Sequence, residues 1–396
     1  MSASLPENSK RNPFHVYVAS GGVILLVLMV LSVWWTDSPE DDYARVETRS
    51  YTAGDNRQET TSEIPDSADV QQDRESPPAQ QQITAAAKDV EMQYRRGQQY
   101  LRGEGVSANA EEAAKWFRRA AEQGHADAQY DLAVLYGNGQ GVPRDYTEAL
   151  RWLHKAAEQD QAAAINEIGR FYDEGWGVAQ NIAEAIKWYR KAADHGNAWG
   201  QFNLGLSYST GKGIQQDDAQ AAQWYRKAAA QNHVYAQTNL GQLYQDGRGV
   251  TQNYAQAAQL YQRAAEAGDA MAQANLGIMY EGGHGVTQDL AQAARWYRAA
   301  AEQGNRIAQY NFGVLLETGK GLPQDLAQAA KWYQKSATQG HAGAQNALGD
   351  FYDRGMGGMP KDRAQAIAWY SKASAQGRKD AQENLKRLGV QAEAEG

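Results

Sequence analysis

The chain has seven histidines, the residue type best suited to bind a metal ion or to transfer a proton near neutral pH. Three of them, His125, His233 and His341, are separated by multiples of 36 residues. Asn197 and Asp269 fill the same register elsewhere in the chain. This column marks the place where a helix begins, and no histidine spacing recurs with the geometry that zinc ligands or an acid-base pair require. The sequence therefore predicts no catalytic residue, no metal site and no cofactor site.

Other kinds of chemistry are also poorly represented. Cysteine is absent, which excludes disulfides, thiolate metal sites and cysteine nucleophiles. The serine motifs S-x-x-K and K-T-G of penicillin-recognising enzymes do not occur as a set. Residues 37–87 hold twelve acidic and four basic residues and so account for the whole net charge of −8. The remaining near-neutral chain lacks the basic stripe that binds nucleic acid. We predict a protein that is not an enzyme and does not bind nucleic acid.

A tryptophan recurs in one register of 36 residues, with Leu260 at the one substituted position and the last tryptophan one residue late. Self-similarity at such a period is typical of a solenoid or array. Each copy must bury a face on the next, so we expect the Trp-Tyr pair to supply buried bulk. The recurring tryptophans are Trp116, Trp152, Trp188, Trp224, Trp296, Trp332 and Trp369.

Each copy predicts two helices, as residues 198–233 show. Leu204, Gly205 and Tyr208 form one stripe of a first helix, and the recurring mid-helix glycine indicates that another helix passes very close. A Gly-x-Gly then favours a turn, since neither a Walker sequence nor a preceding strand accompanies it, as a phosphate loop would require. Asp217 opens the second helix as an N-cap, and Ala221 keeps its packed face small.

These motifs, Leu-Gly-x-x-Tyr, Gly-x-Gly-Val and Asp/Asn-x-x-x-Ala-x-x-Trp-Tyr-x-x-Ala-Ala, resemble the Sel-one-like repeat, a branch of the tetratricopeptide superfamily. The resemblance covers residues 93 to about 378. It implies an all-α fold, a right-handed superhelical α-solenoid of helix-turn-helix repeats, with eight repeats over 88–378 and a capping helix and tail over 379–396. It also implies a scaffold or adaptor, often at bacterial envelopes. The alternative is an envelope enzyme, such as a β-lactam- or peptidoglycan-related hydrolase, with an unrecognised site.

A partner-binding face is expected where packing leaves the first helices free, about 140° from the Leu-Gly-Tyr stripe. Residues of this column would align on a concave wall, and an exposed apolar surface usually marks a partner site. The partner would be a protein or peptide, such as one associated with the envelope or with peptidoglycan. The alternative is that these side chains only fill the interior of a tight superhelix. The predicted site residues are Tyr130, Trp199, Phe202, Tyr235, Met271, Ile307 and Tyr310.

The N-terminus predicts a membrane anchor. Residues 14–35 are free of acidic residues, of Lys and of Arg, and as a helix their length of about 33 Å would cross the hydrocarbon core. Lys10 and Arg11 precede this stretch and acidic residues follow it, so residues 1–13 are expected in the cytoplasm and the repeats outside it. We predict a single-pass protein of the inner membrane with periplasmic repeats. A cleaved signal peptide is the alternative, although 32–37 offers no suitable cleavage site.

Residues 36–87 predict a disordered acidic linker between this anchor and the repeats. They are rich in Ser, Thr, Gln and Pro and contain few large apolar residues, so they cannot bury enough surface to fold. A binding segment is the alternative use of such a stretch.

Overall fold

The structure, a computed structural model, describes residues 15–19, 22–26 and 78–390, with side chains from residue 87 onward. Within these residues, two strands are followed by 17 helices. The elements are β1 His15–Ala19, β2 Gly22–Leu26, α1 Pro78–Arg102, α2 Ala110–Glu122, α3 Ala126–Asn138, α4 Tyr146–Ala157, α5 Ala162–Glu174, α6 Ile182–Asp194, α7 Ala198–Thr210, α8 Asp218–Ala230, α9 Val234–Asp246, α10 Tyr254–Glu266, α11 Ala270–Gly282, α12 Leu290–Glu302, α13 Arg306–Thr318, α14 Leu326–Thr338, α15 Ala342–Arg354, α16 Arg363–Ala375 and α17 Lys379–Arg387.

The helices confirm the predicted all-α solenoid of helix pairs. Odd-numbered helices from α1 to α15 are the first helices of repeats 1 to 8, here called A helices, and even-numbered helices are the second, or B helices. The ninth odd helix, α17, is the predicted extra helix after repeat 8. The right-handed superhelix implied by the family resemblance stays a prediction.

The described helices belong to two compact units. The first contains α1 to α6, α7 as far as Leu204, and residues 212–214. The second contains residues 205–211 and the chain from Gln215 onward. Buried residues of the first unit form one apolar cluster around Phe117, Leu153 and Ile165. In the second unit, successive clusters follow the repeats, with Tyr261 in one and Tyr333 in the next.

The predicted transmembrane helix is not seen. Within 14–35, the structure describes two five-residue strands, β1 and β2, paired antiparallel with Tyr17 opposite Ile24. The segments HVYVA and GVILL are rich in β-branched residues, which favour strands. The rest of the predicted span lies outside the described residues, and so does the predicted cytoplasmic segment 1–13. None of the described helices combines the length and the apolar character that crossing a bilayer requires.

The predicted linker, residues 36–87, overlaps the first helix. Helix α1 begins at Pro78, so residues 78–87 are helical and not part of a disordered segment. Ala and Gln are frequent here, and both favour helix, while proline suits a first helical position. Residues 36–77 lie outside the described residues.

Within a repeat, a glycine of helix A and an aromatic ring of helix B set the distance between the two helices. A Cβ atom built on Gly277 would lie 2.5 Å from Cδ1 of Tyr297, closer than carbon atoms can approach. The same contact recurs with Gly97 against Phe117, and with a buried tyrosine in repeats 3 to 8. Repeat 2 replaces both partners, with Ala133 and Leu153, and both are buried. The predicted close approach of another helix is thus confirmed.

The tyrosine of the Trp-Tyr pair, and not the tryptophan, is the fully buried member. Tyr225, Tyr297 and Tyr333 are at most 1% exposed, whereas most of the tryptophans are half-buried. The expectation that the whole pair supplies buried bulk is therefore wrong for most tryptophans. The two residues are adjacent, so their side chains point about 100° apart around the helix, and only one of them can face helix A.

Each half-buried tryptophan ring makes a cation–π contact with a basic side chain of its own helix. Lys227 Nζ lies 3.8 Å from the Trp224 ring centroid, and Lys335 Nζ lies 4.1 Å from that of Trp332. The basic residue stands three positions after the tryptophan, which places both side chains on one face of the helix. One part of each ring is therefore covered by the packed helices, and another part by a flexible lysine or arginine side chain.

The predicted capping residues are found at the N-termini of the helices. Asp and Asn side chains open the B helices, as where Asp217 Oδ1 accepts from the Gln220 N–H at 2.9 Å. The histidines in the recurring register open A helices: His233 Nδ1 accepts from the Ala236 N–H at 3.2 Å. Burial lowers the pKa of His233 to about 3, so its imidazole is neutral at physiological pH and free to accept that bond.

The Gly-x-Gly segments are turns, as predicted. Gly247 ends helix α9 in the left-handed conformation, with a φ of 69°. Gly249 also has a positive φ, 65°, and a Cβ there would lie 2.2 Å from the Asp218 carbonyl carbon at the start of α8. The second glycine thus lets one repeat's turn lie directly on the preceding repeat.

A ladder of buried glutamines also links adjacent repeats. Gln273, in helix α11, donates from Nε2 to the Ala265 carbonyl of the preceding repeat at 3.1 Å. Its Oε1 accepts from Gln303 Nε2 at 2.8 Å. Gln309 and Gln345 repeat both bonds with their own neighbours. These buried amides therefore have hydrogen-bond partners on both sides, which makes their burial tolerable.

The glycine-ring contact can be tested by exchanging it for the pair found in repeat 2. Gly277→Ala is expected to destabilise the protein by about 1–3 kcal/mol, because the added methyl overlaps the Tyr297 ring. Tyr297→Leu is expected to cost about 2–4 kcal/mol through lost burial. The double variant should be at least about 1 kcal/mol more stable than the sum of the single effects, as measured by denaturant unfolding.

Gly137, in helix α3, provides the matched control. A Cβ there meets only Phe171 Cζ, at 3.9 Å, so Gly137→Ala is expected to stabilise helix α3 by up to about 1 kcal/mol. Additive effects at 277 and 297 would show that their contact does not set the helix distance.

The buried His233 predicts a specific acid sensitivity. Its pKa is about 3 in the folded protein against 6.5 for an ordinary histidine, so only the unfolded chain takes up a proton between these values. Stability is therefore lost as the pH falls below 6.5, at about 1.4 kcal/mol per pH unit. His233→Asn keeps a capping side chain and should remove this loss. Urea unfolding of both proteins at pH 7 and pH 5 measures it; equal pH dependence would contradict a buried neutral imidazole.

Candidate partner-binding site

The seven residues predicted to bind a partner all lie in the first half of A helices. In the first unit they are Tyr130 in α3 and Trp199 and Phe202 in α7. The Trp199 and Phe202 rings meet edge to face, with centroids 6.2 Å apart. Phe202 is only 4% exposed, so its ring is part of the interior, whereas Tyr130 and Trp199 are half-buried.

In the second unit the predicted residues occupy three A helices, α9, α11 and α13. Tyr235, Met271, Ile307 and Tyr310 are all half-buried. We call these four residues the A-face of the second unit. Since each retains exposed surface, the A-face can contact another molecule, although it is not a broad apolar patch. Among the residues whose side chains are described, the strongly exposed large apolar residues are Met92 and Tyr254, which belong to neither predicted set.

Packing onto the next repeat explains why the A-face residues are half-buried. Tyr310 lies against His341, the cap of the next A helix, with ring centroids 4.5 Å apart. Asn305, the cap of α13, places its Nδ2 3.4 Å from Met271 Sδ. Interior packing therefore accounts for the buried part of these two side chains, and a partner role for their exposed part stays a prediction.

In other repeats, the contact between an A helix and the cap residue of the next A helix is polar. In the first unit, His125 Nε2 lies 3.1 Å from Glu91 Oε2, and the pKa of Glu91 is lowered mainly by Arg95 and then by His125. In the second unit, Thr238 Oγ1 donates to Asp269 Oδ1 at 2.9 Å, and burial raises the pKa of the Asp269 carboxyl. The residues in this contact are therefore aromatic in some repeats and polar in others.

A buried charged pair in repeat 3 was missed by the sequence reasoning. Arg170 Nη1 lies 2.7 Å from Glu167 Oε2, and both side chains are buried on helix α5. One turn further on, Asp173 accepts from Lys212 Nζ at 2.6 Å. Burial raises the pKa of the neighbouring Glu174 carboxyl. The sequence does distinguish this pair, because Glu167 and Arg170 stand where most other repeats have Asn and an uncharged residue.

Comparison with known proteins agrees with this architecture. The model of the Sel1 repeat matches residues 90–125, 126–161, 162–197, 200–233, 234–269, 270–305, 306–341 and 342–377. No curated protein is similar enough to count as a match.

Two solved structures resemble the chain closely enough to inform the fold. A protective antigen of uropathogenic Escherichia coli strains, which displays an SLR fold, is 41% identical with a TM-score of 0.69. The alignment covers 78% of this chain and 66% of the antigen, so the chain spans somewhat less than two thirds of that relative. A Sel1 repeat protein from Oxalobacter formigenes is 35% identical with a TM-score of 0.55, over 83% of this chain and 98% of that one.

Eight consecutive matches account for the stacked helix pairs from α1 to α16. The capped B helix recurs in all of them, and the mid-helix glycine and the buried ring recur in every repeat but the second. This chain therefore belongs to the Sel1 repeat family.

Proposed function

We propose that this protein is a membrane-anchored interaction scaffold that holds a protein or peptide partner on the A-face of its second unit. Sel1 repeat proteins are protein-interaction scaffolds. The observation that carries the proposal is the row of half-buried Tyr235, Met271, Ile307 and Tyr310 on A helices of successive repeats. On this view the chain is not an enzyme.

The chemistry of the A-face fits a peptide better than a small molecule. Its apolar side chains come from three successive repeats, and the Tyr310 ring packs against the cap residue His341. Regularly spaced anchors suit an extended chain, and aromatic residues dominate the energetics of protein interfaces. Preorganised side chains lose less entropy on binding than mobile ones.

We propose further that residues 14–35 anchor the protein in the inner membrane, with the repeats on the periplasmic side. Support comes from the uncharged apolar stretch, from Lys10 and Arg11 before it and from the acidic residues after it. An isolated two-stranded hairpin is only marginally stable in water. In a bilayer such a hairpin would leave backbone groups without partners, whereas a helix satisfies all of them. The same segment is therefore expected to be helical in a membrane.

Partner binding is tested by one variant measured twice. Tyr235→Ala is expected to weaken capture of the partner from an envelope extract by about 2 kcal/mol, because a contact anchor is lost. The melting temperature of the full-length protein should change little, since a half-buried ring leaves no closed cavity. Gln223→Ala, at an exposed position of α8, is the control and should bind normally. A large drop in melting temperature with unchanged capture per folded molecule would contradict the partner-binding role.

The proposed topology is tested with a reporter enzyme that is active only outside the cytoplasm. Fused after Gly396 of the full-length chain, it is expected to be active, and the protein should stay in the membrane fraction after alkaline carbonate washing. Replacing residues 14–35 with a cleavable signal peptide should keep the reporter active but release the protein from the membrane. A stable but inactive fusion of the native chain would contradict the periplasmic placement.

A further inference from the structure

The B helix of repeat 5 lacks the tryptophan that the other B helices carry. Leu260 stands in that register, and beside it lies a cleft of about 190 Å³ in the second unit. Helices α8, α9 and α10 supply its walls. The residues used below are Arg226, Leu240, Tyr244, Leu260 and Arg263.

The cleft lies where a tryptophan ring would fit. Leu240 is buried and lines the inner side of the cleft. It stands twenty residues before Leu260. In repeat 7, Phe312 stands at the position of Leu240, and its ring meets the Trp332 ring edge to face at 5.7 Å. Leu260 is too short to fill this volume.

A second wall supports the same conclusion. Arg226 stands 34 residues before Leu260, at the position that His154 occupies relative to Trp188. There, His154 of repeat 2 and Trp188 of repeat 3 meet edge to face, with ring centroids 5.5 Å apart. Two positions that contact a tryptophan elsewhere in the chain therefore line the cleft of repeat 5.

The cation that normally covers the ring is still present. Arg263 follows Leu260 by three residues, as Lys227 follows Trp224 and Lys335 follows Trp332. It therefore stands in the cation position of a ring that repeat 5 does not contain. A guanidinium in this position would attract the face of an aromatic ring supplied from outside.

The electrostatics of the cleft are positive. Arg226 is exposed and donates from Nη2 to the Tyr244 hydroxyl at 3.2 Å. Arg263 is also exposed, and within the described residues neither guanidinium forms an ion pair with a carboxylate. Two such arginines favour a carboxylate beside the incoming ring, since arginine binds planar carboxylates with paired hydrogen bonds.

We propose that this cleft is a second docking site, which takes an aromatic side chain from a protein segment that carries an adjacent carboxylate. The ring occupies the place of the missing tryptophan, against Leu240 and Leu260 and under Arg263. The neighbouring carboxylate pairs with Arg226. This site is separate from the A-face, because it is formed by the last turns of α9 and by the B helices beside it.

The test uses the full-length protein and the peptide acetyl-Asp-Trp-Glu-amide with 5-fluorotryptophan as its aromatic residue. Fluorine NMR titration should show saturable binding, which weakens with rising salt because charges contribute to it. A peptide with lysines in place of the two acidic residues should bind at least about tenfold more weakly. Competition by acetyl-Asp-Ala-Glu-amide should be equally poor, since it has no ring to bury.

Leu260→Trp is the decisive variant, because it restores the tryptophan and fills the cleft. Peptide binding should fall by at least about tenfold, as expected for loss of an anchoring pocket, while the melting temperature should hold or rise. Should this variant fold poorly, Arg263→Ala provides a second test and should weaken binding severalfold. Lys227→Ala removes the same charge from the equivalent position in repeat 4 and should leave binding unchanged.

Several outcomes would overturn the proposal. These are no saturable binding to the wild-type protein, unchanged affinity in a folded Leu260→Trp variant, or equal losses in Arg263→Ala and Lys227→Ala, which would indicate nonspecific attraction by charge. Tyr235→Ala should leave this titration unaltered, so failure of the cleft and failure of the A-face can be told apart.

Discussion

The contact between a glycine of helix A and a buried ring of helix B determines how closely the two helices of each repeat approach. Where Gly277 faces Tyr297, no side-chain atom separates the A helix backbone from the ring. A methyl group there would force the helices apart. The alanines that line the B helices, such as Ala257 and Ala293, are fully buried for the same reason, since larger side chains would hold neighbouring helices at a greater distance. Small residues at the helix contacts and a large buried ring on each B helix together give short helices a densely packed interior.

Polar groups connect one repeat to the next, where apolar packing alone would allow slippage. The buried Gln273 bridges a carbonyl of the preceding repeat and a glutamine of its own. Buried amides are costly unless all their bonds are made, so this ladder specifies one relative placement of adjacent repeats. The second glycine of each turn has a related effect, because Gly249 brings the turn directly onto the backbone at Asp218. Stability in such an array is a sum of repeat and interface terms.

Function is expected where repeats depart from one another, because the shared positions are occupied by packing. Repeat 3 replaces uncharged positions by the buried pair of Glu167 and Arg170. Repeat 5 replaces a tryptophan by Leu260 and opens a cleft beside two arginines. The A-face likewise changes from Tyr235 to Met271 along the second unit. A scaffold of identical repeats would offer the same contact many times, whereas these departures give each repeat a distinct surface.

The amino-acid sequence by itself determined the repeat length, the number of helix pairs, the caps and the turns. These features depend on local periodicity and on residues such as Asp217 and Gly247, whose preferences act within a few positions of the chain. The sequence also indicated the close approach at the mid-helix glycine. It did not identify Tyr297 as the residue opposite Gly277, nor the glutamine ladder, although both recur in the same 36-residue frame.

Tertiary structure alone decided which side chains of that frame are buried. Trp224 and Tyr225 are adjacent in sequence, yet only the tyrosine is fully enclosed. The predicted site divided in the same way, since Phe202 is interior while Tyr235 keeps exposed surface. The physical reason is that spacing gives a residue's position along and around its own helix, whereas burial depends on the neighbours that two other helices bring to it.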